Sequence, residues 1–200
     1  MNIDQALKQL KKDQVLAGLI EKYGPLSYER DMDYFSAIVE TIVSQQLSGK
    51  AAATIFSRLK KLFHSEILEP KSIIDTPVER LRSAGLSGSK SLYIKDFSRK
   101  VLDGTLNLSG LDEMDDEEVI THLVQVKGIG RWSAEMILMF SLHRPDILPL
   151  DDLGIRNAFI RLYKIGITKG DQIITRMQKI ADAWRPHRTI ACWYLWKSLE

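Results

Sequence analysis

The chain has 200 residues, 44% of them hydrophobic and 27% charged, with 12 glycines, 6 prolines and a single cysteine. Those proportions exclude collagen, long linkers and wholesale disorder, and one cysteine excludes an internal disulfide framework, an iron–sulfur cluster and a thiolate zinc site. Net charge is +2, from 28 basic and 26 acidic residues, too small to mark a nucleic-acid binder by itself.

The distribution of charge says more. Gln125 to Glu200 holds 12 Lys/Arg against 7 Asp/Glu, whereas Leu111 to Ile120 holds six acids and no base. A basic C-terminal part suits a polyanion and equally suits a solvated surface. The N-terminal stretch MNIDQALKQLKKDQ alternates charge with isolated apolar positions and has no signal-peptide core. The longest mostly apolar run, Met136 to Leu142, is far short of the roughly 20 residues of a membrane span. A soluble intracellular protein is expected, in the cytoplasm or at the nucleoid, or in the nucleus of a eukaryote.

Helical periodicity begins at Phe35, Ile38, Val39 and Ile42 and resumes at Ile55, Phe56, Leu59 and Leu62 or Phe63, with Ser48-Gly49 between the two runs. A loop follows through Glu69-Pro70. Thr76-Pro77 with Glu79 predicts a cap, a first-turn proline and a short helix to about Ser83, ended by Gly85. Lys90 to Leu102 carries Tyr93, Ile94, Phe97 and Val101 on one face, and Gly104 closes it. Asp115 or Asp116 starts the next helix, bearing Val119, Ile120, Leu123 and Val124. Further helices are predicted at Trp132–Leu142, Leu153–Tyr163, Gln172–Trp184 and His187–Leu199, the last two separated by Pro186. No alternating strand pattern occurs, so the expected fold is all-α, an array of mostly short helices.

The most informative stretch is Leu123-Val124-Gln125-Val126-Lys127-Gly128-Ile129-Gly130-Arg131-Trp132-Ser133-Ala134. An apolar helix runs into G-I-G and a second helix starts at once. Glycines allow a tight turn and close approach of a bulky partner. Backbone N–H groups around Gly128 to Arg131, at a helix N-terminus, suit a phosphate oxygen. Ile129 would turn inward, and Lys127 and Arg131 would add positive charge. A dinucleotide fingerprint is excluded, because that requires a preceding strand and a third glycine. A plain connector remains the alternative for G-I-G alone.

Asp151-Asp152 follows Pro149-Leu150 and precedes a helix from Leu153, so one of the two acids is placed to cap it. Spacing alone leaves capping and chemistry both open. The four histidines, His64, His122, His143 and His187, show no metal-ligand spacing.

Four ordered blocks give the chain a resemblance to the helix-hairpin-helix DNA glycosylases, and within them to the alkylated-purine branch of 3-methyladenine DNA glycosylase II type. These are Ile42-Val43-Ser44-Gln45-Gln46-Leu47-Ser48-Gly49-Lys50-Ala51-Ala52; Gly85-Leu86-Ser87 with Lys90 and Tyr93-Ile94; the hairpin; and Leu150-Asp151-Asp152-Leu153-Gly154-Ile155-Arg156. The tail Trp184-Arg185-Pro186-His187-Arg188-Thr189-Ile190-Ala191, ending near Trp196, also fits.

The resemblance implies two helical lobes with an active-site cleft between them: residues 33–143 as a central lobe with plug loop and hairpin, and residues 1–32 with 144–200 as a second lobe carrying the catalytic aspartate. It places that aspartate at Asp152 and leaves Asp151 to shape or cap the turn. Relatives that also cut the backbone have a lysine two residues past the hairpin glycine, where this chain has Trp132, so lyase chemistry is not expected. Trp132 is similar to the pocket aromatic of the branch, with Tyr28, Phe35 and Trp193 as further pocket candidates. Gln45, Gln46 and Leu47 match the plug that fills the gap left by a flipped nucleotide. Gln46 is the leading plug, Leu47 its nearest competitor, and Gln45 a brace or a reader of the opposite base. Arg185 and Arg188 are open between support of the last helix and DNA contact.

The implied activity is a monofunctional DNA glycosylase in base excision repair that hydrolyses alkylated purines such as 3-methyladenine and 7-methylguanine. It would act as a monomer on alkylated double-stranded DNA, with no cofactor, metal or obligate protein partner. A non-hydrolytic DNA-binding module, a helical scaffold and a glycosylase for deaminated or oxidised bases are the competing readings.

Overall fold

The structure, a computed structural model, describes residues 3–26, 33–166 and 170–200. Among these it contains twelve α-helices, one 3₁₀ turn and no strand. In order they are α1 (Ile3–Leu10), α2 (Gln14–Tyr23), α3 (Tyr34–Ser44), α4 (Gly49–Phe63), α5 (Pro70–Asp75), α6 (Val78–Ser83), α7 (Gly88–Leu102), α8 (Asp116–Leu123), α9 (Arg131–Phe140), α10 (Leu153–Leu162), α11 (Gly170–Ala181), the 3₁₀ turn Asp182–Trp184 and α12 (Arg188–Lys197). The all-α expectation is therefore met, with helices mostly of two to four turns.

Several helix starts follow from side chains that satisfy the free N–H groups of a first turn. Asp13 caps α2, Ser48 caps α4 and Ser87 caps α7. Asp115 and Glu118 form a reciprocal capping box on α8. Three helices were not foreseen. In α1 the buried Ala6, Leu7 and Leu10 form a narrow stripe among charged residues. α2 buries Leu16, Leu19 and Ile20. Pro70, expected in a loop, opens the six-residue α5. The cap expected at Thr76 is displaced: α6 begins after Pro77, and the Thr76 hydroxyl donates to Ser72 O at 2.8 Å.

The chain divides into two compact units, Arg30–Leu142 and Met1–Glu29 with His143–Glu200. The first has a core in which Phe35 of α3 stacks on Phe97 of α7, ring centroids 4.9 Å apart, beside buried Ile38, Ile42, Leu59 and Ile94. In the second, Trp184 packs on Phe159 at 5.3 Å between centroids. There Asp13 accepts both the Tyr163 hydroxyl at 3.0 Å and the Trp184 indole N–H at 3.1 Å while it caps α2. Burial, then the Asp13 charge, pushes the Tyr163 phenol well above its ordinary pKa, which keeps it a donor.

Candidate functional site

The hairpin joins α8 to α9 in the Arg30–Leu142 unit. Val126 and Ile129 are buried and pin the connection to its helices. Gly128 has φ +85°, and a Cβ there would overlap the Tyr93 ring of α7, so this glycine serves both the turn and a close approach. The bulky partner it accommodates is thus a side chain of the same unit. Gly130 is the N-cap of α9 and no side chain closes that end. Both glycines are exposed, and an uncapped N-terminus of a ten-residue helix suits an anion.

Part of the expected donor set is already engaged. The Ile129 N–H donates to Val126 O at 3.1 Å, and the Lys127 N–H donates to Asp96 Oδ2 at 3.0 Å. Arg131 differs more from expectation. Its guanidinium makes two hydrogen bonds to Glu117 and a third, at 3.2 Å, to the buried Glu135. The hydrogen bond with Glu117 holds the Arg131 pKa above and the Glu117 pKa below their ordinary values. The side chain of Lys127 is exposed. Of the two cations, only Arg131 is neutralised within the hairpin.

Gln45, Gln46 and Leu47 connect α3 to the Ser48 cap of α4. Gln45 donates through Nε2 to Gly128 O at 2.8 Å and to Ser133 Oγ at 3.1 Å, so it reaches across to the hairpin. Gln46 is exposed and has φ +56°, a left-handed backbone that costs a side-chain-bearing residue roughly 1–2 kcal/mol. Leu47 is 39% exposed. A helix C-terminus is held beneath them by Lys90, whose ammonium donates to Val43 O at 2.7 Å and Gln45 O at 2.6 Å. Desolvation lowers the Lys90 pKa from the ordinary lysine value.

Trp132, the second residue of α9, is 41% exposed. It borders a cavity of about 320 Å³ walled also by Thr41, Ser44, Gln45, Met136 and Phe140. Phe35 is not in that wall; at 6% exposure its ring belongs to the Phe97 stack. Tyr28 lies outside the described residues. Trp193 belongs to the other unit, half-buried, edge-on to Tyr194 with centroids 5.0 Å apart and with Lys197 Nζ 5.5 Å above its ring.

Asp152 and Asp151 have different environments. Asp152 is 8% exposed and is itself the N-cap of α10, accepting the Ile155 N–H at 2.7 Å through Oδ1. The same oxygen accepts the Trp196 indole N–H at 2.9 Å. A Cβ on Gly154 would lie 3.1 Å from both Asp152 Oδ1 and Trp196 Cδ1, so glycine there gives the indole room to reach the carboxylate. Asp151 is exposed and pairs with Arg156 at 2.7 Å. The cap expected of Asp151 therefore falls to Asp152. Arg185 and Arg188 both bind Asp146, at 2.6 and 2.7 Å, and support the start of α12.

Trp196 and Lys90 stood in matched sequence blocks without an assigned task. Their partners, a carboxylate 44 residues away and two main-chain carbonyls, leave no local pattern. No group of three or more His, Cys, Asp or Glu side chains among the described residues is arranged to hold a metal ion. No helix among the described residues is long and apolar enough to cross a membrane.

Comparison with known proteins fits this geometry. The pattern of the HhH-GPD superfamily base excision DNA repair proteins matches residues 39–186. DNA-3-methyladenine glycosylase 1 of Schizosaccharomyces pombe is 34% identical over 98% of this chain and 83% of its own length. Its solved complex with abasic DNA has a TM-score of 0.80 at 33% identity, over 97% of this chain and 96% of that one. The solved DNA-3-methyladenine glycosidase of Bacillus halodurans gives 0.80 at 36% identity, over 96% and 88%. The chain belongs to the HhH-GPD superfamily of base excision DNA repair proteins, in its alkylpurine DNA glycosylase branch.

Proposed function

We propose that the protein is a monofunctional DNA glycosylase that hydrolyses the N-glycosidic bond of alkylated purines, such as 3-methyladenine and 7-methylguanine, and leaves an abasic site. The observation that carries the reading is Asp152: a carboxylate 8% exposed, fixed through Oδ1 by a peptide N–H and an indole N–H. N-alkylation makes the purine cationic and a good leaving group. As the C1′–N bond stretches, its electron pair returns to the base and positive charge grows on the sugar. A carboxylate fixed beside the sugar stabilises that charge more than it stabilises the ground state, in which the positive charge sits on the base. It also takes the proton from the water that adds to C1′.

The other tasks fall to the Arg30–Leu142 unit. The uncapped end of α9 and exposed Lys127 grip the phosphate backbone without reading sequence. Gln46, a side chain kept at a left-handed position that glycine would occupy more cheaply, acts as the plug, with Leu47 beside it. Trp132 stacks on the flipped base, its π-face suited to a cationic purine. Since Trp132 stands where a lyase needs an amine, no Schiff base forms and the strand stays intact.

The test is base release from alkylated duplex DNA, with free purine and strand cuts detected separately. Release of methylated purine without enzyme-dependent cutting is expected. Tight duplex binding with no release would overturn the reading in favour of a binding module.

A further inference from the structure

One side of α7 carries Lys90, Tyr93 and Asp96, at intervals of three residues. Each meets a different part of the DNA-facing machinery. Lys90 Nζ holds the Val43 and Gln45 carbonyls at 2.7 and 2.6 Å, at the root of the plug loop. The Tyr93 ring lies against Gly128, where no Cβ fits. Asp96 Oδ2 accepts the Lys127 N–H at 3.0 Å. The circuit closes through Gln45, whose main chain is held by Lys90 and whose amide donates to Gly128 O and Ser133 Oγ. Plug loop and hairpin are thus both tied to α7 and to each other.

We propose that Lys90 is a positioning residue for base flipping: from α7 it locks the plug loop to the hairpin, so that the hairpin's grip on phosphate sets the plug against the target base pair. The inference rests on the plug reading of Gln46 given above. The last carbonyls of a helix have no intrahelical partner, and at an exposed end water serves them. Lys90 instead gives up hydration to bind the carbonyl of the residue immediately before the plug. Loss of the ammonium leaves the chemistry and the phosphate contacts intact but frees the main chain at the root of the plug loop, which then stays tied to the hairpin only through the Gln45 amide and wobbles about it.

This consequence separates positioning from simple stabilisation. A wobbling plug matters when the lesion must be forced out of a paired stack and matters little when the lesion is already unpaired, because extrusion then costs less. A general loss of stability affects both substrates alike.

The experiment compares wild type, Lys90→Met and Lys90→Arg in single-turnover release of methylated purine from two duplexes. One has the lesion normally paired, the other has it opposite an abasic gap. A second readout needs no catalysis: the fluorescence of 2-aminopurine opposite an abasic-site analogue, which changes when a plug enters the stack. Lys90→Met is expected to lose about tenfold or more on the paired lesion and under about threefold on the unpaired one. It should show a diminished fluorescence change and bind undamaged duplex like wild type. Lys90→Arg, which keeps a cation and several donors, should restore most of the paired-lesion rate. Where Lys90→Met does not fold, Lys90→Gln takes its place. Equal losses on both duplexes, or no loss on either, would overturn the proposal. A wild-type protein that changes the fluorescence but releases no base would refute the glycosylase reading alone; the same protein with an unchanged signal in Lys90→Met would refute the positioning role as well.

Discussion

The indole N–H of Trp196 and the carboxylate of Asp152 meet at 2.9 Å, on the oxygen that also caps α10. Two donors converging on one oxygen fix the carboxylate plane as well as its position. Trp196→Phe keeps the ring and removes one of these donors. The expected result is a fall of about tenfold in the single-turnover rate, as for a modest misplacement of a reacting group, with affinity for abasic-site duplex unchanged. An unaltered rate in the folded variant would reduce the indole to packing.

Asp152→Asn tests the charge itself. Asparagine is as good an N-cap as aspartate, and its amide oxygen can accept both the Ile155 N–H and the Trp196 indole. The fold should therefore persist while the rate of base release falls by about 10² or more. Asp151→Asn breaks only the exposed pair with Arg156 and should cost at most about 1 kcal/mol. Release assays with melting temperatures on both variants decide the matter. Near-wild-type excision by Asp152→Asn would remove it from the chemistry.

The sequence made the helices from Phe35 onward legible because their apolar residues repeat every three or four positions, and it made the hairpin legible because G-I-G interrupts that repeat. α1, α2 and α5 escaped: α1 buries a thin stripe among charges, α2 buries only Leu16, Leu19 and Ile20, and α5 is six residues long with a proline at its start. The same periodicity explains Phe35, which shares its helix face with Ile38 and Ile42 and so packs inward against Phe97. Arg131 could be counted as a cation from sequence. Its pairing with Glu117, 14 residues earlier and across the hairpin, becomes visible only when α8 and α9 are folded together.

That pairing has a consequence for binding. Arg131 is already hydrogen-bonded to Glu117 and Glu135, whereas Lys127 is exposed. A cation that takes a phosphate contributes about 0.9 to the slope of log affinity against log salt on duplex DNA. Lys127→Ala should reduce the measured slope by about that amount, and Arg131→Ala by clearly less. Equal reductions would mean that Arg131 leaves its carboxylates when DNA binds.

Absence of an amine at Trp132 makes covalent trapping a direct check. Borohydride added during turnover on methylated duplex should give no protein–DNA adduct if, as proposed, tryptophan stands where a lyase carries its amine. A strong adduct that disappears when a single lysine is replaced would return the protein to the bifunctional class.

The two hairpin glycines should fail in different ways. At Gly128 the backbone is left-handed, φ +85°, and a Cβ meets the Tyr93 ring, so Gly128→Val strains the turn and forces apart the hairpin and α7. The left-handed backbone alone costs roughly 1–2 kcal/mol, and the displaced ring adds to it. A lowered melting temperature is expected before any effect on DNA is considered. Gly130 has φ −95°, which any residue adopts, and nothing lies within 4 Å of a Cβ built there. Gly130→Val should therefore fold, at a cost of about 1 kcal/mol because valine is a poorer N-cap than glycine, yet its side chain stands at the uncapped end of α9 where a phosphate would approach. The measurement is duplex affinity at several salt concentrations, alongside thermal melting, for both variants. Gly130→Val should bind several-fold more weakly on every sequence tested, with little change in the salt slope, because no cation has been removed. A stable Gly130→Val protein with wild-type affinity would exclude the α9 N-terminus as the phosphate site.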